Sequence, residues 1–283
     1  MENQKSKIKE PQFPLLATKL FVPHPRPDQV NRSHLIDQLN EGVSRKLTLI
    51  SAPAGFGKTT LLSEWIAQGS QSVAWISLDK SENDPVQFIH YLIAAVQNSY
   101  PKIGEAALSQ LQSSQRPPVE SILISLIQDF SGLSDELIIV LDDYHSIDAD
   151  SIHQLIRTLL DYLPVQVHLT ISSRVDPPLP LARLRVNQQL SELRTNDLCF
   201  TEAEIAVFFN QTLNLQLTSG DISILESRTE GWIAGLQLAA LSMQGRPDIT
   251  SFINTFAGDD RHIVDYLVEE VLNLQSEQIQ KFL

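Results

Sequence analysis

The stretch Lys46-Leu-Thr-Leu-Ile-Ser-Ala-Pro-Ala-Gly-Phe-Gly-Lys-Thr-Thr60 joins a short β-type run to a helical pattern through a turn of small residues. Its second half fits the phosphate-loop consensus G-x-x-x-x-G-K-[ST]. Gly57, Lys58 and Thr59 fill the last three positions, and Ala52 stands where the first glycine belongs. The pattern predicts a loop that cradles phosphate groups. The alternative is a glycine-containing strand-to-helix turn that binds nothing.

Each residue type in this loop has a chemical reason. Gly55 and Gly57 let the backbone approach an anion, which is best held where successive N–H groups converge at the start of a helix. Lys58 would bring a positive charge to the β- and γ-phosphates, the Thr59 hydroxyl would ligate Mg²⁺, and Thr60 would reach an α-phosphate oxygen. The residues of the loop that we expect to contact nucleotide are Pro53, Ala54, Gly55, Phe56, Gly57, Lys58, Thr59 and Thr60.

The bulk composition is that of a globular protein, with 283 residues, 42% hydrophobic and 19% charged. This length corresponds to about two domains. No apolar run approaches the ~18 residues that span a bilayer, and the first residues lack the apolar core of a signal peptide. We therefore expect a cytoplasmic protein without a membrane partner. The single cysteine excludes an internal disulfide framework and a cysteine zinc cluster.

The chain is acidic, with a formal charge of -13 and a pI near 4.9. Proteins that bind a nucleic-acid backbone concentrate lysine and arginine on one face, and the sequence contains no run of them. By itself this chain is predicted to be a poor DNA binder.

A second informative stretch runs from Leu137 to Asp143 and places five branched apolar residues before two acids. Such a run is typical of a strand buried on both faces of a parallel sheet, whose carboxyl end binds ligands. Asp142 is the candidate Walker B acid that holds Mg²⁺, and Asp143 is a candidate to polarise an attacking water. The alternative is a solvated pair of loop acids, although two adjacent carboxylates repel unless a cation lies between them.

The next strand pattern alternates apolar and polar residues from Val165 to Ile171. One face of that strand would be less apolar, which fits poorly with a central place in a sheet covered on both sides. The strand leads into Ser172-Ser173-Arg174. Arg174 is a candidate sensor of a γ-phosphate, and the alternative for it is a surface salt bridge.

Taken in order, the patterns predict an α/β fold with a parallel sheet covered by helices on both faces. Residues 1–45 form an N-terminal arm and first helix, and 46–197 form the α/β core. A helical region follows in 198–258, opened by the capping box Thr201-Glu-Ala-Glu204. Residues 259–283 continue in helical register. The glycines around Trp232 are interpreted as close helix packing.

Several motifs resemble those of the large ATP-dependent LuxR-type transcription regulators, which are STAND-class signal-transduction ATPases. The resemblance covers nearly everything from Leu16 onward. The stretches that carry it are Thr18-Lys-Leu, Val30-x-Arg32, Ser51 to Thr60, Trp75-Ile-Ser-Leu-Asp79, Tyr91-Leu-Ile-Ala-Ala95, Leu141-Asp-Asp-Tyr-His145, Ser172-Ser-Arg174, Gln189-Leu-x-Glu-Leu193, Glu230-Gly-Trp-x-x-x-Leu-Gln-Leu238 and Asp265-Tyr-Leu-Val-Glu-Glu-Val-Leu272.

This resemblance implies a P-loop NTPase core, a small helical domain, and a winged-helix domain that begins at 259–283. It implies that Val30 and Arg32 lie near the adenine and that Ala52 is the family's own form of the loop. Gly235-Leu-Gln-Leu238 departs from the Gly-Leu-Pro-Leu stretch that approaches nucleotide in related proteins. Family members continue with regions that bind a small-molecule inducer and promoter DNA.

The resemblance also implies a switch. ADP would hold the modules closed, while ATP with inducer would favour an open form that self-associates, and slow Mg²⁺-dependent hydrolysis would reset it. Two alternatives remain open at this point: a rapidly cycling P-loop ATPase of the motor or remodelling type, and a degenerate scaffold that binds no nucleotide.

Overall fold

The structure, a computed structural model, describes residues 15–25, 29–244, 246 and 248–255. Its centre is a five-stranded, all-parallel sheet in the order β2-β3-β4-β1-β5. The strands are β1 (Leu47–Ser51), β2 (Ser72–Ser77), β3 (Leu137–Asp142), β4 (Val167–Ser173) and β5 (Leu190–Arg194). The predicted α/β fold with a parallel sheet is confirmed.

The α-helices connect these strands and then continue beyond them. They are α1 (Ser33–Gly42), α2 (Lys58–Gln68), α3 (Pro85–Gln97), α4 (Glu105–Gln112), α5 (Val119–Phe130), α6 (Asp150–Tyr162), α7 (Leu181–Val186), α8 (Thr195–Leu198), α9 (Glu202–Ala206), α10 (Ser219–Thr229), α11 (Ile233–Met243) and α12 (Ile249–Thr255). Short 3₁₀ turns occupy Ala17–Leu20, Lys80–Asn83 and Tyr144–Ser146, and Val207–Thr212 is π-helical.

Both faces of the sheet are covered. Helices α3 to α6 bury alternate residues of the strands on one face, where Leu49, Ile139 and Leu169 are fully buried. Helices α1 and α2 cover the other face, where Ile50 and Val140 are fully buried. Because β3 contacts helices on both sides, its apolar run has no polar face, as its sequence predicts.

Strand β4 lies between β3 and β1, and all seven of its residues are buried. The expectation that its polar residues would not suit a central position is therefore wrong. His168 is accommodated by hydrogen bonds: its Nδ1 lies 2.7 Å from the Arg45 carbonyl oxygen and its Nε2 lies 3.0 Å from the Thr48 hydroxyl. A buried polar side chain costs little when its partners are supplied in this way.

Residues after Leu198 have their own apolar cluster. It is formed by side chains such as Phe209, Leu225 and Leu236, together with Val30 from the N-terminal part. The capping box predicted at Thr201 is present, with Glu204 as its reciprocal partner. The division of the chain near residue 198 stays a prediction, and the winged-helix start at 259–283 lies outside the described residues.

No helix within the described ranges is both long and apolar enough to cross a membrane.

Candidate nucleotide-binding site

The predicted phosphate loop connects β1 to the start of α2, at the carboxyl edge of the sheet. Gly55 and Gly57 have φ angles of 81° and 73°, a region that residues with a Cβ rarely adopt. Ala52 is not among the residues with positive φ. The backbone therefore requires glycine at positions 55 and 57. At position 52, the first of the consensus, it accepts the methyl group of alanine.

Lys58 is buried, with 7% of its surface exposed. Its Nζ donates hydrogen bonds to the carbonyl oxygens of Ala52 and Pro53, at 2.8 and 3.0 Å. Burial lowers the pKa of Lys58, and the nearby charge of Asp143 only partly opposes this effect. A buried ammonium group held by neutral acceptors attracts an anion strongly.

Asp142 lies at the end of β3, where the neighbouring strand and the loop bring hydroxyl groups to it. The Thr59 hydroxyl donates to Asp142 Oδ2 at 2.9 Å, and the Ser172 hydroxyl donates to Oδ1. Burial, together with the charge of Asp143, raises the pKa of Asp142 to about 6. No local pattern predicts a role for Ser172, because only the pairing of β4 with β3 brings it to this carboxylate.

The donor set fits a magnesium ion. A carboxylate whose pKa is raised by burial and by a second acid is an environment that a divalent cation stabilises. Magnesium commonly uses one or two protein oxygens and takes its remaining ligands from phosphates and water. The described part of the chain holds no cluster of three or more histidine, cysteine or acidic side chains.

Asp143 follows with a positive φ of 58°, and its backbone N–H donates to the Ser172 hydroxyl at 3.1 Å. Its carboxylate is about half exposed and lies 3.7 Å from Nδ1 of His145. Burial lowers the pKa of His145, the charge of Asp143 opposes this effect, and the charges of Arg174 and Lys58 add to it. Asp143, His145 and Arg174 therefore share one electrostatic neighbourhood with Lys58.

A cavity of about 610 Å³ adjoins the loop. Its walls come from three parts of the chain: Val30 and Arg32 near the N-terminus, Thr60 and Glu64 on α2, and residues after Leu198. The last group includes Phe200, Phe208, Ile233 and Gln237. The volume lies within the usual range for small-molecule and cofactor sites.

Arg32 lines this cavity, but its guanidinium group is directed to protein partners. Nε donates to Glu204 Oε1 at 2.8 Å, and the terminal nitrogens donate to the carbonyl oxygens of Leu198 and Cys199, each at 2.9 Å. The group also stacks on the Phe200 ring, 5.1 Å from its centroid. Arg32 thus ties the N-terminal part to the start of the helical region at the cavity wall.

Sequence reasoning missed one set of contacts with the loop. The Trp232 indole N–H donates to the Ala54 carbonyl oxygen at 3.1 Å, and the Ala234 N–H donates to that of Gly55 at 3.0 Å. The glycines near Trp232 by themselves predict only helix packing. The motif Glu230 to Leu238 is part of the resemblance, and its contact with a loop 178 residues earlier leaves no local signal.

Comparison with known proteins decides the family. Residues 29–172, just over half of the chain, match the model described as "AAA ATPase domain". The chain belongs to the AAA ATPase domain family. The match covers the phosphate loop, the Asp142 strand and β4 through Ser172.

This AAA ATPase chain is also similar to longer regulators. It is 37% identical over 271 residues to the HTH-type transcriptional regulator MalT of Yersinia enterocolitica, and 38% identical over 273 residues to MalT of Serratia proteamaculans. Each alignment covers 95% of this chain and 30% of the relative. The chain therefore spans under a third of the length of these relatives. They confirm the resemblance to transcription regulators.

Solved structures agree on the fold. A STAND protein of Pyrococcus horikoshii with a tetratricopeptide repeat sensor aligns with a TM-score of 0.58 and 14% identity, covering 92% of this chain and 34% of that one. A Walker-type ATPase of Pyrococcus abyssi aligns with a TM-score of 0.55 and 12% identity, covering 93% and 79%. The predicted likeness to STAND-type ATPases is confirmed at the level of the fold.

Proposed function

We propose that this chain is the ATP- or ADP-binding switch module of a transcription regulator, with slow hydrolysis and nucleotide-dependent opening and self-association. The observation that carries the proposal is the buried Lys58 beside the Thr59–Asp142 pair, next to a cavity of nucleoside size. A phosphate chain at the loop would supply the anion that Lys58 lacks. The adjoining cavity would take the sugar and base.

In this proposal each residue of the site has a role. Lys58 exchanges its carbonyl partners for β- and γ-phosphate oxygens, and the loop N–H groups surround the phosphates. Thr59 and Asp142 would hold Mg²⁺, which would neutralise phosphate charge. Thr60 reaches the α-phosphate. Val30 provides apolar contact for the base, and Arg32 fixes the wall behind it.

Hydrolysis would depend on Asp143 and Arg174. Asp143 is about half exposed and close to Lys58, where its carboxylate can orient a water molecule. Arg174 follows β4 and its charge affects Lys58, which supports a role for Arg174 in sensing a γ-phosphate. We propose that turnover is slow, because a switch needs a long-lived nucleotide state.

The proposal extends to the domain organisation. A core of 46–197 and a helical domain of 198–258 would meet at the nucleotide, since both contribute walls to the cavity. Nucleotide exchange could then shift the balance between closed and open forms by the difference in its affinity for the two. Promoter DNA would be bound by another region of a longer protein, as the name "HTH-type transcriptional regulator" of the relatives suggests. An inducer would also act through another region.

The test begins with the nucleotide that the protein carries. The purified chain is denatured and the released small molecules are identified by chromatography and mass spectrometry. The switch predicts bound ADP or ATP, Mg²⁺-dependent affinity, and steady-state turnover well below roughly 1 s⁻¹. Sedimentation with ADP and with a non-hydrolysable ATP analogue tests self-association.

Sustained turnover above that rate would instead support the rapidly cycling ATPase. The absence of any released nucleotide, together with no change in Tm on adding Mg-ATP, would support the scaffold without nucleotide.

A further inference from the structure

The start of α11 contacts two carbonyl groups of the phosphate loop through hydrogen bonds. Trp232 Nε1 donates to the Ala54 carbonyl oxygen at 3.1 Å, and the Ala234 N–H donates to the Gly55 carbonyl oxygen at 3.0 Å. The Ala234 donor is one of the backbone N–H groups that the first turn of a helix leaves without an intrahelical partner, and the Trp232 donor is the side chain of the residue that precedes the helix. The contact is close as well as polar: a Cβ added at Gly57 would lie 3.1 Å from Cδ1 of Ile233.

The geometry of the peptide unit gives these bonds a consequence. A trans peptide is planar, and its C=O and N–H point in opposite directions. The Ala54 carbonyl shares its peptide unit with the Gly55 N–H, and the Gly55 carbonyl shares its unit with the Phe56 N–H. When both carbonyls are directed at α11, the N–H groups of Gly55 and Phe56 are directed away from it. In a phosphate loop, successive N–H groups of this kind converge on the anion.

Gly231 and Gly235, which flank Trp232, allow its indole to reach the phosphate loop. Gly231 has a φ of +70°, and a Cβ there would lie 2.5 Å from the Phe200 carbonyl oxygen. A Cβ at Gly235 would lie 2.5 Å from Cε3 of Trp232. A side chain at either position would therefore displace backbone or indole. These glycines, first interpreted as packing, also make room for the contact with the loop.

We infer that Trp232 and the Ala234 N–H are positioning groups for the phosphate cradle, because they fix the two loop peptides whose N–H groups face the anion. The inference rests on the proposed function and adds a coupling to it. The cradle is fully organised only while α11 is docked. By linkage, phosphate binding then favours the docked arrangement to the same extent that docking favours phosphate binding.

The test uses Trp232→Phe in the full chain, which removes the indole N–H and keeps an aromatic ring. The matched control is Trp65→Phe, which removes an indole hydrogen bond of 2.8 Å to Asn40 on α1, in the core behind the site. After bound nucleotide is removed, affinities for Mg-ADP, Mg-pyrophosphate and adenosine are measured by calorimetry. Selective ¹⁵N labelling of glycine and phenylalanine reports the amide shifts of Gly55 and Phe56.

Trp232→Phe is expected to weaken Mg-ADP and Mg-pyrophosphate about 3- to 10-fold, the contribution of one ordinary hydrogen bond. Adenosine affinity should stay within about 2-fold, and the Gly55 amide shift should move in the ligand-free protein. Trp65→Phe should lower Tm without moving that amide or the pyrophosphate affinity. Affinities for the phosphate ligands unchanged in Trp232→Phe, or an equal loss for adenosine, would overturn the inference.

Gly235→Ala is a second variant that leaves the indole N–H in place. Alanine favours the helix by up to about 1 kcal/mol intrinsically, so the variant does not depend on a loss of helix propensity. Its Cβ displaces the indole, and weaker pyrophosphate binding with unchanged adenosine binding is expected again. Unchanged pyrophosphate binding in this variant would also count against the inference. Wild-type protein that binds neither Mg-ADP nor Mg-pyrophosphate would instead contradict the proposed function itself.

Discussion

Among the described residues, Lys19 and Lys58 are buried to nearly the same degree, but the groups that surround their charges differ. Lys19, 9% exposed, lies on the 3₁₀ turn beside β2. Its Nζ is 2.6 Å from Glu82 Oε1, 2.8 Å from Asp79 Oδ2 and 3.0 Å from the Ser81 hydroxyl. Burial alone would lower the pKa of Lys19, but the hydrogen bonds with Asp79 and Glu82 outweigh it and the pKa is raised.

Lys58, 7% exposed, has only neutral acceptors at hydrogen-bonding distance among the described residues, the carbonyl oxygens of Ala52 and Pro53. Its pKa is lowered. Burial of a cation therefore does not by itself indicate a binding site. Lys19 is paired with the carboxylates of Asp79 and Glu82 and has a structural role. Lys58 lacks a carboxylate at contact distance, and an incoming anion would fill that role.

The largest expected effect comes from removing the charge of Lys19. Lys19→Met keeps the aliphatic stem but leaves the carboxylate of Glu82, which is 0% exposed, without its cation. We expect the free energy of unfolding to fall by about 3 kcal/mol, measured by urea titration. Affinity for Mg-ADP should stay within about 2-fold.

The double variant Lys19→Met/Glu82→Gln serves as the control for this prediction. It removes both charges, so part of the lost stability should return. A loss below about 1 kcal/mol in the single variant, or no recovery in the double variant, would show that the ion pair does not matter to the fold.

The second-largest effect is expected at Lys58, where nucleotide affinity should change and stability should not. Lys58→Ala should weaken Mg-ADP binding about 100-fold, because a charge-assisted contact with phosphate is worth roughly 1.5–3 kcal/mol. The ligand-free protein should lose no stability, since the substitution removes a buried charge that has no carboxylate partner. Calorimetry and urea titration measure the two quantities. Wild-type affinity in this variant would reject the site.

How much of the fold and of the site can be predicted from sequence depends on how far apart the interacting residues are along the chain. The loop, its glycines and the acid after a buried strand follow from local patterns, and Lys58, Thr59 and Asp142 do come together at the carboxyl edge of the sheet. Strand order places Ser172 beside Asp142, and no local pattern encodes that order. The alternating pattern of β4 led to the wrong expectation for His168, because its hydrogen-bond partners, the Arg45 carbonyl and the Thr48 hydroxyl, lie on other parts of the chain.

Arg32 is a residue that a motif identifies, but whose partners the sequence does not reveal. The resemblance assigned it to the base pocket, and it does line the cavity. Its side chain, however, reaches Glu204, 172 residues later, and the carbonyl groups before it. A sequence can reveal that an arginine belongs to a motif. Which carboxylate neutralises it is decided by tertiary packing.

His168 is a third buried basic side chain, and it makes the stability of the protein depend on pH. The Arg45 carbonyl can only accept, so Nδ1 of His168 carries the proton and Nε2 accepts from Thr48; the ring is neutral and satisfied. Burial lowers its pKa to about 4, below the ordinary value of about 6.5. The unfolded chain therefore binds the extra proton between those values. The stability that His168 contributes is complete above pH 6.5 and is lost as pH falls towards 4.

The prediction for His168 is a difference in pH dependence. Between pH 7 and pH 5 the wild type should lose about 2 kcal/mol through this group, and His168→Asn should lack that component, although it is less stable at pH 7. Urea titrations at both pH values give the comparison. Equal losses in the two proteins would show that His168 is protonated in the fold. Lys19, whose pKa is raised, adds nothing in this range.

The smallest effect is expected at Ala52, and it asks whether Lys58 depends on a side chain or on the backbone of its loop. Ala52 contributes only its carbonyl oxygen to Lys58, and it is 1% exposed among the apolar residues beneath α1 and α2. Ala52→Gly restores the consensus glycine but loses a buried methyl and gains backbone freedom, so stability should fall by about 1 kcal/mol. Mg-ADP affinity should stay within about 2-fold, because the carbonyl and both glycines with positive φ remain. If affinity instead rose 5-fold or more, the methyl of Ala52 would be restricting the loop, and the loop would not be the relaxed form that its backbone angles indicate.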